Sequence, residues 1–218
     1  VTFPEFIPDL KPRLRGWLHV GMVPTALAAG IVLIALAETT PARVSAAIYA
    51  GTALLLFAVS GIYHRGSWSP KVESFLRRFD HANIYLLIAG SYTPFGVLTL
   101  DGHVRVAALA TVWGGALAGV IFRTTWLSAP RWLFTAFYLL LGWAAVIFLP
   151  QLLHGAGVAA FVLVAVGGGL YTAGGIVYGL KRPNPSPAYF GFHEVFHSLT
   201  IAAFITQYIA VSLVIYRI

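Results

Sequence analysis

His193–Tyr216 reads HEVFHSLTIAAFITQYIAVSLVIY: two histidines four residues apart, then an apolar run with no charged residue between Glu194 and Arg217. A run of this length suits a helix crossing the roughly 30 Å hydrocarbon core of a bilayer, which takes about 20 apolar residues. Barrel strands would instead appear as shorter alternating segments. Six further runs of the same kind precede it: Trp17 to Ala37, Val44 to Tyr63, His81 to Leu100, Val104 to Phe122, Leu133 to Leu149 and Gly155 to Leu180. Short polar or proline-containing turns separate them, such as 38–43 and 181–192, leaving no room for a second folded unit. The expected architecture is an all-α integral membrane protein, a seven-transmembrane helix bundle over residues 17–218 preceded by a cytoplasmic segment, 1–16.

Composition agrees. Of 218 residues 59% are hydrophobic and 10% charged, whereas a soluble domain carries roughly 25% charged residues. The formal charge of +7 would suggest nucleic acid for a soluble chain, but membrane proteins concentrate Lys and Arg on cytoplasmic loops. Lys11, Arg13, Arg15, Arg65, Lys71, Arg77, Arg78, Arg123, Arg131, Lys181 and Arg182 fall on one side of the seven expected crossings; Arg43, Arg105 and Arg217 fall on the other. The positive-inside rule therefore puts the N-terminus in the cytoplasm and the C-terminus outside, as an odd number of crossings requires. Lys11, Arg13 and Arg15 before an apolar run ending Ala35-Leu36-Ala37 also resemble a secretory signal. The length of that run and its His19 and Pro24 favour a retained helix. The sixth run is glycine-rich and expected to tilt or bend. Gly115 with Gly119, and Gly175 with Gly179, have the spacing that lets membrane helices approach closely.

There is no cysteine, which excludes a disulfide scaffold, a thiolate metal site and a cysteine nucleophile. Any metal falls to histidine or carboxylate. His103 and His154 map to outer loops and read as solvated. The other five histidines, with Ser60, Asp80 and Glu194, map to the cytoplasmic ends of helices one, two, three and seven. A charged side chain in mid-membrane costs about 2.5–3.5 kcal/mol on insertion scales, and zinc binding, worth about 10–16 kcal/mol in small peptides, is large enough to offset it. His193 and His197 share a helix face and His64 supplies a third imidazole, leaving one tetrahedral position for water. Asp80 either takes a proton from that water or orients a ligand histidine. Ser60, one turn before His64, either supports the site or bonds back to its own helix. His19 reads as a histidine bonded to a neighbouring helix, and His81 as structural or interfacial. HEVFH also fits the metalloprotease pattern in which the glutamate is the general base, although Glu194 reads equally well as a solvated helix-start residue.

Ser60-Gly-Ile-Tyr-His64, Phe79-Asp80-His81 running into Ile88-Ala-Gly-Ser-Tyr-Thr-Pro94, and His193-Glu-Val-Phe-His197 together resemble the three signature motifs of the haemolysin III proteins. These form the bacterial branch of the progestin and adipoQ receptor family, which includes the adiponectin receptors. The resemblance covers the chain in order and spacing. It implies a seven-helix bundle with an inner N-terminus and a zinc near the cytoplasmic surface, with His64, His193 and His197 as ligands, Asp80 as the family's aspartate and Ser60 as its serine. The chain departs from many bacterial members before the first-helix histidine, where Arg15-Gly-Trp-Leu-His19 stands in place of a Glu and an Asn. The implied activity is zinc-dependent, ceramidase-like hydrolysis of acyl amide or ester bonds in membrane lipids. The alternatives are a sensor or lipid-homeostasis protein with structural zinc, and a cytolysin. Membrane lipid, rather than nucleic acid, is the expected partner; association into homo-oligomers stays open. The expected location is the bacterial cell membrane, multi-pass.

Overall fold

The computed structural model describes residues 12–126 and 128–217; Lys11, counted above among the inner charges, lies outside them. Among the described residues there are seven α-helices and one 3-10 segment. They are α1 (Trp17–Ala35), α2 (Thr40–Arg65), α3 (Pro70–Thr99), α4 (Gly102–Thr125), α5 (Arg131–Gly142), the 3-10 segment Trp143–Phe148, α6 (Leu149–Leu180) and α7 (Phe192–Ile215). Five of them, Trp17–Ala35, Thr40–Arg65, Gly102–Thr125, Leu153–Leu180 within α6, and Phe192–Ile215, are long and apolar enough to cross a membrane. The chain is a multi-pass membrane protein.

Successive helices pack as hairpins. α3 is central, touching α2, α4, α5, α6 and α7, while α1 leans on α2 and α7. Small side chains line the helix seams: Ala42, Ala46 and Ala53 of α2 and Ala203 and Ala210 of α7 are all buried, and Tyr49, Phe57 and Phe204 fill the space between them. The outside carries Ile31, Leu36, Val106, Ile121, Leu140 and Val158, all exposed. In water such a surface would be an aggregation hazard, and in a bilayer it meets hydrocarbon.

Two boundaries differ from those expected. α3 begins at Pro70 rather than near His81, because a helix need not stop at the membrane surface: proline suits its first turn, and Lys71, Glu73, Arg77 and Arg78 ride on turns beyond the apolar span. The fifth run divides into α5 and the 3-10 segment. The sixth bends as expected, at Gly157, whose φ of 80° and ψ of 165° interrupt α6. That break frees the Ala156 carbonyl, which accepts a hydrogen bond from Arg217 Nη1 at 2.8 Å. Arg43 and Arg105, grouped with Arg217 by the charge count, do similar work: Arg43 donates to the Ala37 carbonyl at 2.7 Å and Arg105 to that of Leu100 at 2.6 Å, satisfying acceptors left over at helix ends. His103 and His154 are exposed as expected, but on helices rather than loops.

The glycine pairs divide. A Cβ on Gly115 would meet Leu141 at 2.6 Å and one on Gly119 the Tyr85 ring at 2.4 Å, so this pair admits large side chains from two different helices. Gly175 has ordinary contact with Thr135 and Leu139, and Gly179 faces open space.

Candidate metal centre and cavity

α2 and α7 bring His64, His193 and His197 together, each offering one nitrogen, with all three nitrogens within 4.8 Å of one another. His64 and His197 are buried and His193 half-buried. His64 Nε2 and His193 Nε2 lie 3.2 Å apart. Two imidazole nitrogens on a tetrahedral metal, with metal–nitrogen bonds of about 2.0–2.1 Å, sit about 3.3 Å apart, so this edge of the cluster has the span a shared cation requires. His197 Nδ1 is buried with no protein partner. The donor set fits a metal ion.

Asp80, at the point where α3 enters the apolar span, places Oδ2 3.8 Å from His64 Nε2. This is the same nitrogen that faces His193. A carboxylate that only oriented a ligand histidine would bond the ring nitrogen turned away from the metal. Asp80 instead addresses the edge of His64 that faces His193. Ser60 is buried one turn before His64, on the side of the Asp80 carboxyl, and among the described residues its Oγ makes no hydrogen bond. His81 is held at both ring nitrogens: its Nδ1 donates to the Arg77 carbonyl at 2.7 Å, leaving Nε2 to accept from the Tyr178 hydroxyl at 3.1 Å.

Two expectations are corrected. Among the described residues His19 makes no hydrogen bond to a neighbouring helix. Both its nitrogens are buried without a protein partner, and its ring stacks on His197 with centroids 3.7 Å apart and planes 10° from parallel, so it fixes a candidate ligand by its face. Glu194 is not a solvated helix-start residue: it is fully buried, forms an ion pair with Arg15, and accepts the Gly191 N–H at 2.8 Å. A carboxylate committed to a guanidinium and a helix-capping amide is not available as the base that the metalloprotease pattern assigns to it.

The structure also joins residues that sequence reasoning left apart. Pro12–Gly16 forms a strap over the centre: Arg13 N–H donates to the Ala188 carbonyl at 3.0 Å and Leu14 N–H to that of Tyr189 at 3.2 Å. Gly16 has φ +82°, and a Cβ there would lie 2.7 Å from His64 Cβ. Arg15 was legible as a departure from the family pattern, although nothing in the sequence named Glu194 as its partner. Arg123, counted above as a loop residue, is in the last turn of α4 and buried, with its guanidinium 4.8 Å from the centre of the Phe134 ring.

A cavity of about 290 Å³ opens from the cluster. His19, Ser60, Asp80, His81, His193 and His197 line its polar end, and Ile84, Leu87, Phe95, Phe161 and Val164 are among its apolar walls. Its lining runs from Asp80 to Phe95 on α3 and from His193 to Gln207 on α7, about 20 Å at 1.5 Å per residue. That exceeds the roughly 15 Å depth of half a hydrocarbon core.

The family described as Haemolysin-III related matches residues 9–208. The chain is 34% identical over 140 residues to "Hemolysin-3" of Bacillus cereus, 64% of each chain, so the match spans slightly less than two thirds of that relative's length. It is 34% identical over 158 residues to "Hemolysin-3 homolog" of Bacillus subtilis, covering 72% of this chain and 71% of the relative. It is 24% identical over 205 residues to the human "Monocyte to macrophage differentiation factor", covering 92% of this chain and 83% of the relative. With the family match running through the histidine cluster and nearly the whole helical bundle, this chain belongs to the haemolysin III family.

Proposed function

We propose that the protein is a zinc-dependent hydrolase of acyl amide or ester bonds in membrane lipids, with its metal centre on the cytoplasmic side. The observation that carries this reading is the convergence of three imidazoles and the Asp80 carboxylate at the polar end of a long apolar cavity. Zinc held by His64, His193 and His197 would supply Lewis acidity and lower the pKa of a bound water. The chain's own groups do the rest. The apolar walls bury an acyl chain, which carries the carbonyl at its head toward the histidines. Asp80 takes the proton as water oxygen bonds to the carbonyl carbon, then returns it to the departing amine or alcohol as the C–N or C–O bond breaks. Ser60, buried one turn before His64 and beside Asp80, would offer its hydroxyl to the Asp80 carboxylate. His19, stacked on His197, and the Gly16 strap against His64 keep ligand imidazoles from turning.

The test is fatty-acid release from a panel of N-acyl and O-acyl lipids in bilayers, comparing zinc-loaded wild type with Asp80→Asn. Asn keeps the size and one oxygen but loses the base, so turnover should fall about 100-fold or more while zinc stays bound. Equal release by the two proteins would sink the enzyme reading and leave a membrane sensor with structural metal in its place.

A further inference from the structure

α3 is 30 residues long, about 45 Å, and so exceeds a hydrocarbon core of about 30 Å by several turns. The surplus lies at the N-terminal end, where two stripes run side by side. Lys71, Ser74 and Arg78 recur at steps of three and four residues, and Val72, Phe75 and Phe79 repeat the same steps one residue later. Lys71, Ser74, Phe75 and Arg78, with Pro70, line a surface groove. Val72 is 41% and Phe75 63% exposed, and Phe75 packs against Phe79 with ring centroids 5.9 Å apart. Just upstream Trp68, 39% exposed, donates Nε1–H to the Ile62 carbonyl at 3.2 Å, as a tryptophan at the headgroup level does.

The charges of the groove are unbalanced. Among the described residues neither Lys71 nor Arg78 has an ion-pair partner, and Arg78 Nε is buried with no protein acceptor. Glu73, the acid of these turns, is two residues from Lys71 and points about 200° away around the helix. Apolar side chains beside unpaired cations, at the level where the helix leaves hydrocarbon, match one ligand chemistry: a phosphate whose acyl chains lie alongside.

We propose that Lys71, Ser74 and Arg78 bind the phosphate of an anionic phospholipid, with Val72, Phe75 and Phe79 against its acyl chains. The site is separate from the histidine centre and does not depend on hydrolysis. Lys71 and Arg78 contribute charge and Ser74 a hydroxyl donor.

The test is native mass spectrometry of delipidated full-length protein in detergent, titrated with phosphatidylglycerol, with phosphatidylcholine, and with phosphatidylglycerol plus inorganic phosphate. Wild type should hold its first phosphatidylglycerol about 30-fold more tightly than Lys71→Gln/Arg78→Gln, about fivefold per cation. Lys71→Gln alone, at an exposed position, should show the fivefold loss with an unchanged unfolding temperature. Glu73→Gln should bind as wild type does, and phosphatidylcholine should not distinguish the proteins. Equal phosphatidylglycerol affinity in wild type and the double variant would overturn the proposal. So would phosphatidylcholine bound as tightly as phosphatidylglycerol, or displacement of the lipid by millimolar inorganic phosphate.

Discussion

Replacing Arg15 with methionine keeps an apolar stem of similar length and removes the cation facing Glu194. The glutamate side chain is fully buried, and its remaining partner is the Gly191 N–H at 2.8 Å, so the substitution strands a carboxylate inside the bundle. Breaking a buried pair from one side costs about 3–5 kcal/mol. Arg15 is 18% exposed, so water reaches this end of the pair, and a figure discounted below that range, roughly 2–3 kcal/mol, is the better one. For a chain of this size that corresponds to a fall of roughly 5–10 °C in unfolding temperature, read by thermal unfolding of the detergent-solubilised protein. Because Glu194 adjoins His193 and Gly16 touches His64, zinc retention should weaken as well. Adding Glu194→Gln removes the stranded charge while leaving an oxygen for Gly191, so the double variant should recover most of the loss; the cycle measures the coupling directly. An Arg15→Met protein that melts within about 1 °C of wild type, or a double variant worse than either single one, would refute the reasoning.

Purified protein should carry close to one zinc, and His64→Ala, His193→Ala or His197→Ala should each remove it; metal analysis showing full retention in all three ends the assignment. Gly16→Ala forces a Cβ to 2.7 Å from His64 Cβ at φ +82°, and should cost about 2 kcal/mol, visible as a lower unfolding temperature with weaker zinc binding. A reporter fused at the C-terminus should register outside the cytoplasm and one in 66–69 inside, as the distribution of Lys and Arg requires; the reverse pair of signals inverts the topology.

Hydropathy reveals helices by the solvent they meet, so the runs that contain Leu33, Leu56, Val112 and Val211 were legible, and the first ten residues of α3 were not. Their sequence, PKVESFLRRF, is polar enough for a loop, and only the helix-start chemistry of Ser69-Pro70 hinted otherwise. The histidine cluster was legible because its members are chemically rare in an apolar chain and share one depth. What spacing does not encode is which way a side chain turns. His19 stacks rather than bonds, and Arg15 and Glu194, 179 residues apart, meet through a strap whose path depends on backbone pairing with 188 and 189. Arg123 was assigned to a loop for its charge, and its burial comes from the aromatic surface of Phe134, a neighbour that α4 and α5 meet only once folded.

The string HEVFH shows why a motif and its mechanism separate. In α7 the two histidines four residues apart point to one face, which any helix guarantees. The glutamate between them lies about 100° from His193, and what it faces depends on the neighbouring element. Here that element is the Pro12–Gly16 strap, whose Arg15 occupies Glu194, while the same carboxylate closes the N-terminal cap of α7 through Gly191. The cap and the pair fix the first turn of α7, the turn that carries His193. A glutamate used in this way stiffens the candidate metal site without facing its cluster of imidazole nitrogens. The acid left facing the His64 nitrogen that meets His193 is Asp80, on the central helix. Glu194→Gln should therefore change stability more than turnover, and Asp80→Asn turnover more than stability, an inversion of what HEVFH alone would assign.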